Sequence, residues 1–398
     1  MSARVGVVGA GLVGLAIARR IAQQGADVVV FEKETDVSQH QSGHNSGVVH
    51  AGLYYTPGSL KATLCRRGVA LLKEFCAEHA LAYHEIGKVV VARDEVEVAR
   101  LKDIEKRADA NGVPGVRWLD PAALRELEPN VAGAAALHSP TTAIVDYVAV
   151  ARAMADDIRT AGGEVRFSAA VTAIHRAGER IRVRAGGTDT TLDQLVICAG
   201  LQSDVVAELA GDDRAPAIIP FRGEYYRLVP ERANLVNGLV YPVPDPAYPF
   251  LGVHVTPRID GTVDVGPNAV LSLAREGYLR RNVNLRDLGR TLAWPGFRKL
   301  ALRHWQAGIV EMRGSLSKRA FTAAARHYVP SLRTADLVPA PAGVRAQAVD
   351  RDGSLVDDFR ISALGPVLAV RNAPSPAATS ALAIAEHVVA RLTEPSSS

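Results

Sequence analysis

The stretch Arg4–Gly14, RVGVVGAGLVG, decides the fold. Apolar strand text, Arg4–Val8, runs straight into Gly9-Ala10-Gly11-Leu12-Val13-Gly14, a G-x-G-x-x-G. Apolar residues then recur at helical spacing over Leu12–Gln23. Gly25 breaks the helix, and Asp27–Phe31 (DVVVF) reads as a second buried strand. An acid, Glu32, closes that strand 21 residues after Gly11. Strand, glycine turn, helix, strand and acid in this order are the dinucleotide fingerprint. Gly9 permits the tight turn, Gly11 lets the backbone approach a pyrophosphate, and Gly14 lets the helix pack on its strand. The helix N-terminus offers free N–H groups and partial positive charge to phosphates. Glu32 suits ribose hydroxyls and disfavours a 2′-phosphate.

Two styles of text alternate beyond this unit. Helical spacing marks 60–80, 94–111 and 147–161, with strands at 87–92 and Glu164–Phe167. A hairpin-like pair in 181–197 is followed by the apolar strand Leu192–Cys198. Residues 217–271 alternate and are rich in turns. That predicts an antiparallel sheet with strands at Tyr225–Leu228, Gly238–Tyr241, Phe250–Thr256 and Val263–Gly266. Residues 275–333 read as mostly helical, Val367–Val370 as a strand and Ala377–Leu392 as a final helix. The expected fold is mixed α/β, a Rossmann-like dinucleotide domain interleaved with an antiparallel-sheet substrate domain. The first would comprise 1–86, 145–215 and 335–398, the second 87–144 and 216–334.

Composition narrows the class. With 398 residues, 48% hydrophobic and 22% charged, the chain is an ordinary globular protein. A net charge of +4 gives no reason to expect nucleic acid. Cys65, Cys76 and Cys198 show no C-x-x-C spacing, which argues against a zinc ribbon or a disulfide framework and suits a reducing compartment. There is no uncharged apolar run long enough to span a bilayer. The first strand begins at Arg4, so no signal peptide is expected. No metal is expected. Residues 275–333 hold 13 Lys/Arg and 3 Asp/Glu, a local charge of +10, with Trp294, Phe297, Leu300, Leu302 and Trp305 interleaved. Such text fits contact with an anionic bilayer surface or a solvated helix face over a core stripe.

The chain returns twice to the dinucleotide. One strand ends in Cys198-Ala199-Gly200, and another runs into Asn372-Ala373-Pro374-Ser375-Pro376 and a helix. These returns favour FAD over NAD, and the last helix could aim its dipole at the flavin N1/O2 edge.

Longer stretches carry a resemblance. They are His44-Asn45-Ser46-Gly47-Val48-Val49-His50-Ala51-Gly52-Leu53-Tyr54-Tyr55, Pro220-Phe221-Arg222-Gly223-Glu224-Tyr225-Tyr226, Tyr241-Pro242-Val243-Pro244-Asp245-Pro246, Phe250-Leu251-Gly252-Val253-His254, Val265-Gly266-Pro267-Asn268, Ala342-Gly343-Val344-Arg345 and Arg371–Ser380. The chain resembles the L-2-hydroxyglutarate oxidase/dehydrogenase family, within the D-amino-acid-oxidase-like FAD superfamily. The resemblance implies oxidation of L-2-hydroxyglutarate to 2-oxoglutarate with FAD. Electrons would pass to oxygen or to a quinone in a membrane electron-transfer chain. It implies a cytoplasmic protein, peripheral on the inner membrane in bacterial members. Competing readings are an oxidase of another small acid (amino acid, glycerol 3-phosphate, malate), a non-catalytic flavin-binding RNA-modification or assembly factor, and an NAD-dependent dehydrogenase.

The chemistry assigns roles. A 2-hydroxy acid needs a cationic clamp for C1, a base for the hydroxyl proton and a flavin for the hydride. Gly343-Val344-Arg345 matches the superfamily's Gly-x-Arg, so Arg345 is the expected clamp. His254, in an otherwise apolar strand, and His50, in the loop whose histidine is linked to flavin in related amine dehydrogenases, are alternative bases. The second carboxylate needs further donors, with Arg222, Tyr226, Tyr241 and Asn268 as candidates. FAD is expected to contact Gly9, Gly11, Gly14, Glu32, Lys33, Ser42, His44, Asn45, Ser46, Gly47, His50, Val171, Ala199, Gly200, Asn372, Ala373, Pro374 and Ser375.

Overall fold

The computed structural model describes residues 3–178, 180–245 and 252–393. Pro246, Phe250 and Leu251, and with them the start of the strand expected at Phe250–Thr256, lie outside the described residues; the observed strand is His254–Pro257.

The fingerprint strands form the middle of a six-stranded sheet. Its order is Arg360–Leu364, Val367–Asn372, Gln194–Ile197, Arg4–Val8, Asp27–Phe31 and Glu164–Arg166. All neighbours are parallel except the first pair. The inner strands are apolar throughout because both faces are covered. Helices Leu12–Gln23, Leu60–Glu78, Tyr147–Thr160 and Ala377–Thr393 cover one face, with Leu15, Ile17, Met154, Ile384 and Val388 in a shared core. Side chains start two of these helices: Ser59 accepts from the Ala62 amide, and Asp146 from Val148 and Ala149. A three-stranded antiparallel meander, Val171–Ala177, Arg180–Ala185 and Thr188–Leu192, covers the other face. The strand expected at Leu192–Cys198 is therefore two. Leu192 ends the meander and Gln194 opens the parallel strand, while the carboxylate of Asp193 between them accepts from the Arg4 amide at 2.7 Å.

The second sheet has nine strands. They run Val270–Leu271, Ala217–Leu228, Val263–Gly266, His254–Pro257, Leu239–Pro242, Lys88–Ala92, Ala135–Ser139 and Arg117–Leu119, with Leu337–Val349 also paired to Ala217–Leu228. That last pairing joins 337–349, which the sequence reading groups with the nucleotide-binding segment 335–398, to the second sheet. Its backbone hydrogen bonds are satisfied by Ala217–Leu228 along almost its whole length.

Paired residues share a face of a sheet. Register therefore sorts this one. Lys88, Tyr241, His254, Thr256 and Tyr225 fall on one side; Val89, Val240, Val255, Val265 and Tyr226 fall on the other. The second set packs under Phe321 of helix Lys318–Arg326. The first set faces the nucleotide-binding half.

Candidate active site

A cavity of about 470 Å³ runs along the carboxyl ends of the parallel strands, the usual place for a ligand in such a sheet. The glycines of the fingerprint are required there. A Cβ on Gly14 would lie 2.0 Å from the Gly9 carbonyl oxygen, and one on Gly9 would lie 2.5 Å from that of Cys198. The Ser42 hydroxyl accepts from the Leu12 amide at 3.0 Å, next to the opening of the helix. Glu32 is buried at the cavity wall. Its carboxylate accepts from the Ala10 amide (2.7 Å) and the Glu34 amide (2.9 Å), which leaves lone pairs for ribose hydroxyls. Ala377, Ala378 and Thr379, the first turn of the last helix, line the far end. An elongated cavity with an acid at one end and two helix N-termini along it suits FAD, with Glu32 for the ribose, Gly11 for the pyrophosphate and the last helix for the flavin.

At that far end the cavity meets the large sheet through His50. Its Nε2 is 3.4 Å from Ser375 Oγ, and its amide donates to Thr379 Oγ1 at 3.1 Å. Behind it stands a buried cluster. The Lys88 ammonium lies 4.2 Å from the centre of the Tyr241 ring and 4.4 Å from that of Tyr54. Tyr241 stacks on His254, ring centres 4.0 Å apart and 7° from parallel. His254 Nδ1 is 3.0 Å from Thr256 Oγ1, which orients the ring. The charges of Lys88, His50 and Arg345 all act on His254. Burial disfavours each cation. It pushes His50 down to about 3 and Lys88 down to about 7, holds His254 well below the ordinary histidine range, and lowers Arg345. Arg345, on the strand Leu337–Val349, lies close enough for its charge to act on both His254 and Tyr225. Four groups that carry or accept positive charge thus come near one another, His50 on the cavity wall and Lys88, His254 and Arg345 behind it, and their chemistry calls for an anion.

A family profile described as FAD dependent oxidoreductase matches residues 4–391. The curated mitochondrial L-2-hydroxyglutarate dehydrogenase of Nematostella vectensis is 46% identical, covering 98% of this chain and 90% of the relative. That of Salmonella houtenae is 45% identical, covering 97% and 92%. The chain belongs to the L-2-hydroxyglutarate dehydrogenase branch of the FAD-dependent oxidoreductase family. Among solved structures, the L-alpha-glycerophosphate oxidase of Mycoplasma pneumoniae with FAD bound superposes with a TM-score of 0.81 at 23% identity, covering 99% of this chain and 96% of that one. It shares the fold.

This oxidoreductase places most of the expected cofactor residues on the cavity wall: Gly9, Gly11, Gly14, Glu32, Lys33, Ser42, Asn45, Ser46, His50, Val171, Ala199, Gly200, Asn372, Ala373 and Ser375. Three are not there. His44 stacks on Tyr278 (4.1 Å) and its Nδ1 meets the Ala342 carbonyl (3.2 Å), which ties the loop to the long strand. Gly47 turns the chain at φ +73, and Pro374 does not reach the wall. Asn372 touches the cavity, but its amide donates to the Val356 and Asp358 carbonyls, both at 2.9 Å, so its polar work is structural.

The second-carboxylate candidates divide by face. Tyr241 stands in the cluster. Tyr226 does not; its ring packs on Phe321 at 4.8 Å, on the side turned away. Arg222 and Asn268 converge on Glu224 instead, with Arg222 Nη2 3.1 Å and Asn268 Nδ2 3.2 Å from its carboxylate. Arg280 and Ser315 bind the same group. The expected tyrosine, Tyr226, and its neighbour Tyr225 fall on opposite faces. A period of two puts Tyr225 where Tyr226 was expected, and Arg345 acts on Tyr225. Lys88, Tyr54 and Thr256 were missed. The available signal was Lys88 itself, a lone cation heading a strand (KVVVA) that is buried from end to end.

His40 and His44 have an H-x-x-x-H spacing that the expectation of no metal passed over. Glu34, His40 and Glu276 do come together, but Lys33 Nζ lies among them, 2.7 Å from His40 and 3.0 Å from Glu276, and supplies the cation.

Proposed function

We propose that this oxidoreductase converts L-2-hydroxyglutarate to 2-oxoglutarate, with Arg345 as the clamp for C1 and His254 as the base. What carries the reading is the buried cationic cluster at the flavin end of the cavity, together with relatives that bear this activity in their names. Bound FAD supplies the acceptor for the two electrons and hydrogen that leave C2. Arg345 pairs its fork with the C1 carboxylate and turns C2 toward the cavity. His254 is neutral because it is buried, so it is free to take the hydroxyl proton. Thr256 holds its Nδ1 and leaves Nε2 for the substrate. As the dianion enters, its charge raises the affinity of His254 for that proton. His50, at the junction of cavity and cluster, borders both the flavin and the substrate. The nucleotide-binding half is formed by 1–86, 145–215 and the chain after 350, and the cap by 87–144 and 216–349.

The acceptor end of the reaction is proposed to be a quinone reached at an anionic bilayer. Among the described residues no helix is long and apolar enough to cross a membrane. Of the ten large apolar side chains that are exposed among the described residues, eight fall within 273–312, including Leu285 and Leu302 at 79% and Trp305 at 59%. Exposed Arg281, Arg286, Arg298 and Arg303 lie among them. Trp294 and Leu300, expected at this surface, are instead buried, and the Trp294 indole donates to the Val349 carbonyl. Co-sedimentation with vesicles of phosphatidylglycerol and phosphatidylcholine tests this: Leu302→Asp/Trp305→Asp should lose it, and retention would reject the surface.

Anaerobic mixing with L-2-hydroxyglutarate tests the reaction itself. Bleaching of the oxidised flavin band by the L form, but not by the D form, L-malate or L-glutamate, is the expected result. An unbleached, flavin-loaded protein would reject the reading.

A further inference from the structure

We propose that Lys88 is the second anchor of the substrate, receiving the carboxylate remote from the reacting carbon. The inference rests on the dicarboxylate reading above and adds a residue to it. Lys88 opens the strand Lys88–Ala92, between Leu239–Pro242 and Ala135–Ser139 in the large sheet, on the face that carries Tyr241 and His254. Only 2% of the residue is exposed. Tyr54 and Tyr241 present ring faces to its ammonium, and no carboxylate among the described residues pairs with it. Cation–π contacts offset part of the cost of burying a charge, but a ring face does not neutralise an ammonium as a carboxylate does. A lysine needed only to fill this space would be better replaced by methionine or leucine. A buried ammonium kept without an acid is waiting for an anion that comes and goes.

Position says which anion. His254 lies two strands from Lys88 on one side. The strand of Arg345 is three further on, beyond His254. Lys88 and Arg345 therefore approach the histidine from opposite sides, and the charge of each reaches it. A substrate with its reacting carbon at His254 and its first carboxylate on Arg345 would extend its other end toward Lys88. The four-carbon stem gives the ammonium freedom to meet it. Arg222 and Asn268, the donors that sequence alone suggests for this end, are engaged with Glu224 on the far face.

The test uses FAD-loaded protein and two unreactive acids of equal chain length, glutarate and pentanoate, with binding read by calorimetry. The wild type is expected to bind glutarate about 10- to 100-fold more tightly, the range for a hydrogen bond to a charged group. Lys88→Met, which keeps the stem and removes the charge, is expected to bring the two acids within a few-fold of each other. A preference that survives in Lys88→Met, or a wild type that shows none, overturns the proposal. Should Lys88→Met fail to fold with flavin, the wild type still decides through malonate, succinate, glutarate and adipate. Two fixed anchors require an affinity maximum at one length, and a flat series overturns the proposal. The underlying reading fails separately. A wild type that prefers glutarate through Lys88, yet leaves its flavin oxidised with L-2-hydroxyglutarate, would keep the anchor and lose the assigned reaction.

Discussion

Tyr241 and His254 lie face to face, ring centres 4.0 Å apart and 7° from parallel. The same tyrosine ring meets the Lys88 ammonium at 4.2 Å. Its hydroxyl bonds to Ser46 and Thr256, joining the cavity wall to the sheet. One side chain thus sets the orientation of a buried base and the place of a buried cation, and the cluster titrates as a consequence of being sealed.

Stability should carry the mark of that sealing. Burial lowers Lys88 to about 7, far below an unfolded lysine, so above that pH the unfolded state binds a proton that the folded state does not. Stability must then rise with pH from about 7 toward 10, by about 1.4 kcal/mol per pH unit for this one group. Lys88→Met lacks the term. Urea unfolding at pH 7, 8 and 9 should show the wild type gaining on the variant at each step; a constant gap between them would contradict the assignment.

Arg345→Met should cost about 100-fold in kcat/KM for L-2-hydroxyglutarate, the effect of losing a bidentate charged contact worth about 3 kcal/mol. FAD content should be unaffected, since Arg345 does not line the described cavity. Stopped-flow reduction of the flavin against substrate concentration checks it, and a variant reduced as fast as the wild type would remove Arg345 from the site.

Arg222→Met should behave oppositely. Arg222 serves Glu224, which also binds Arg280, Asn268 and Ser315 behind the sheet. Its loss should leave KM within about two-fold and lower stability, while Glu224→Ala, which strands Arg222 in a buried place, should lower stability by about 3–5 kcal/mol. Thermal unfolding beside steady-state kinetics separates the two; a KM raised tenfold by Arg222→Met would return it to the substrate.

Gly14→Ala puts a methyl group 2.0 Å from the Gly9 carbonyl oxygen and must open the helix from its strand. The purified variant should carry little flavin, read as the ratio of visible to protein absorbance. Gly289→Ala, in helix Leu285–Ala293 with nothing within 4 Å of the new methyl, should instead retain flavin and gain about 1 kcal/mol. Full flavin loading of Gly14→Ala would show that the close helix–strand contact is dispensable.

Much of this was legible because it is local. The fingerprint at Gly9–Gly14 with Glu32 needs about thirty residues of chain to declare strand, turn, helix and ligand, and each residue's reason lies within that span. The alternating text of 217–271 likewise announces an antiparallel sheet. The pair Tyr225 and Tyr226 shows where locality ends. Alternation states that the two point opposite ways, but only pairing with Val263–Gly266 and Leu337–Val349 states which way is inward. The strand Leu337–Val349 shows the same limit at larger scale, since its text follows a helical segment and precedes a parallel strand, yet its partner Ala217–Leu228 lies more than a hundred residues back in the chain.

The sequence by itself determined the dinucleotide fingerprint and the choice of FAD. The fingerprint follows from residue types at fixed short spacings, where backbone sterics and charge leave few alternatives, and FAD from the strand ends Cys198-Ala199-Gly200 and Asn372–Pro376 that return to it. Tertiary structure alone decided that Lys88, Tyr54, Tyr241, His254 and His50 meet, that Arg222 and Asn268 serve Glu224, and that the exposed apolar side chains of 273–312 share one segment with exposed arginines. The reason is physical. Burial and the sharing of a face depend on which strands pair across long separations, and a lysine becomes a demand for an anion only once the fold has taken it out of water.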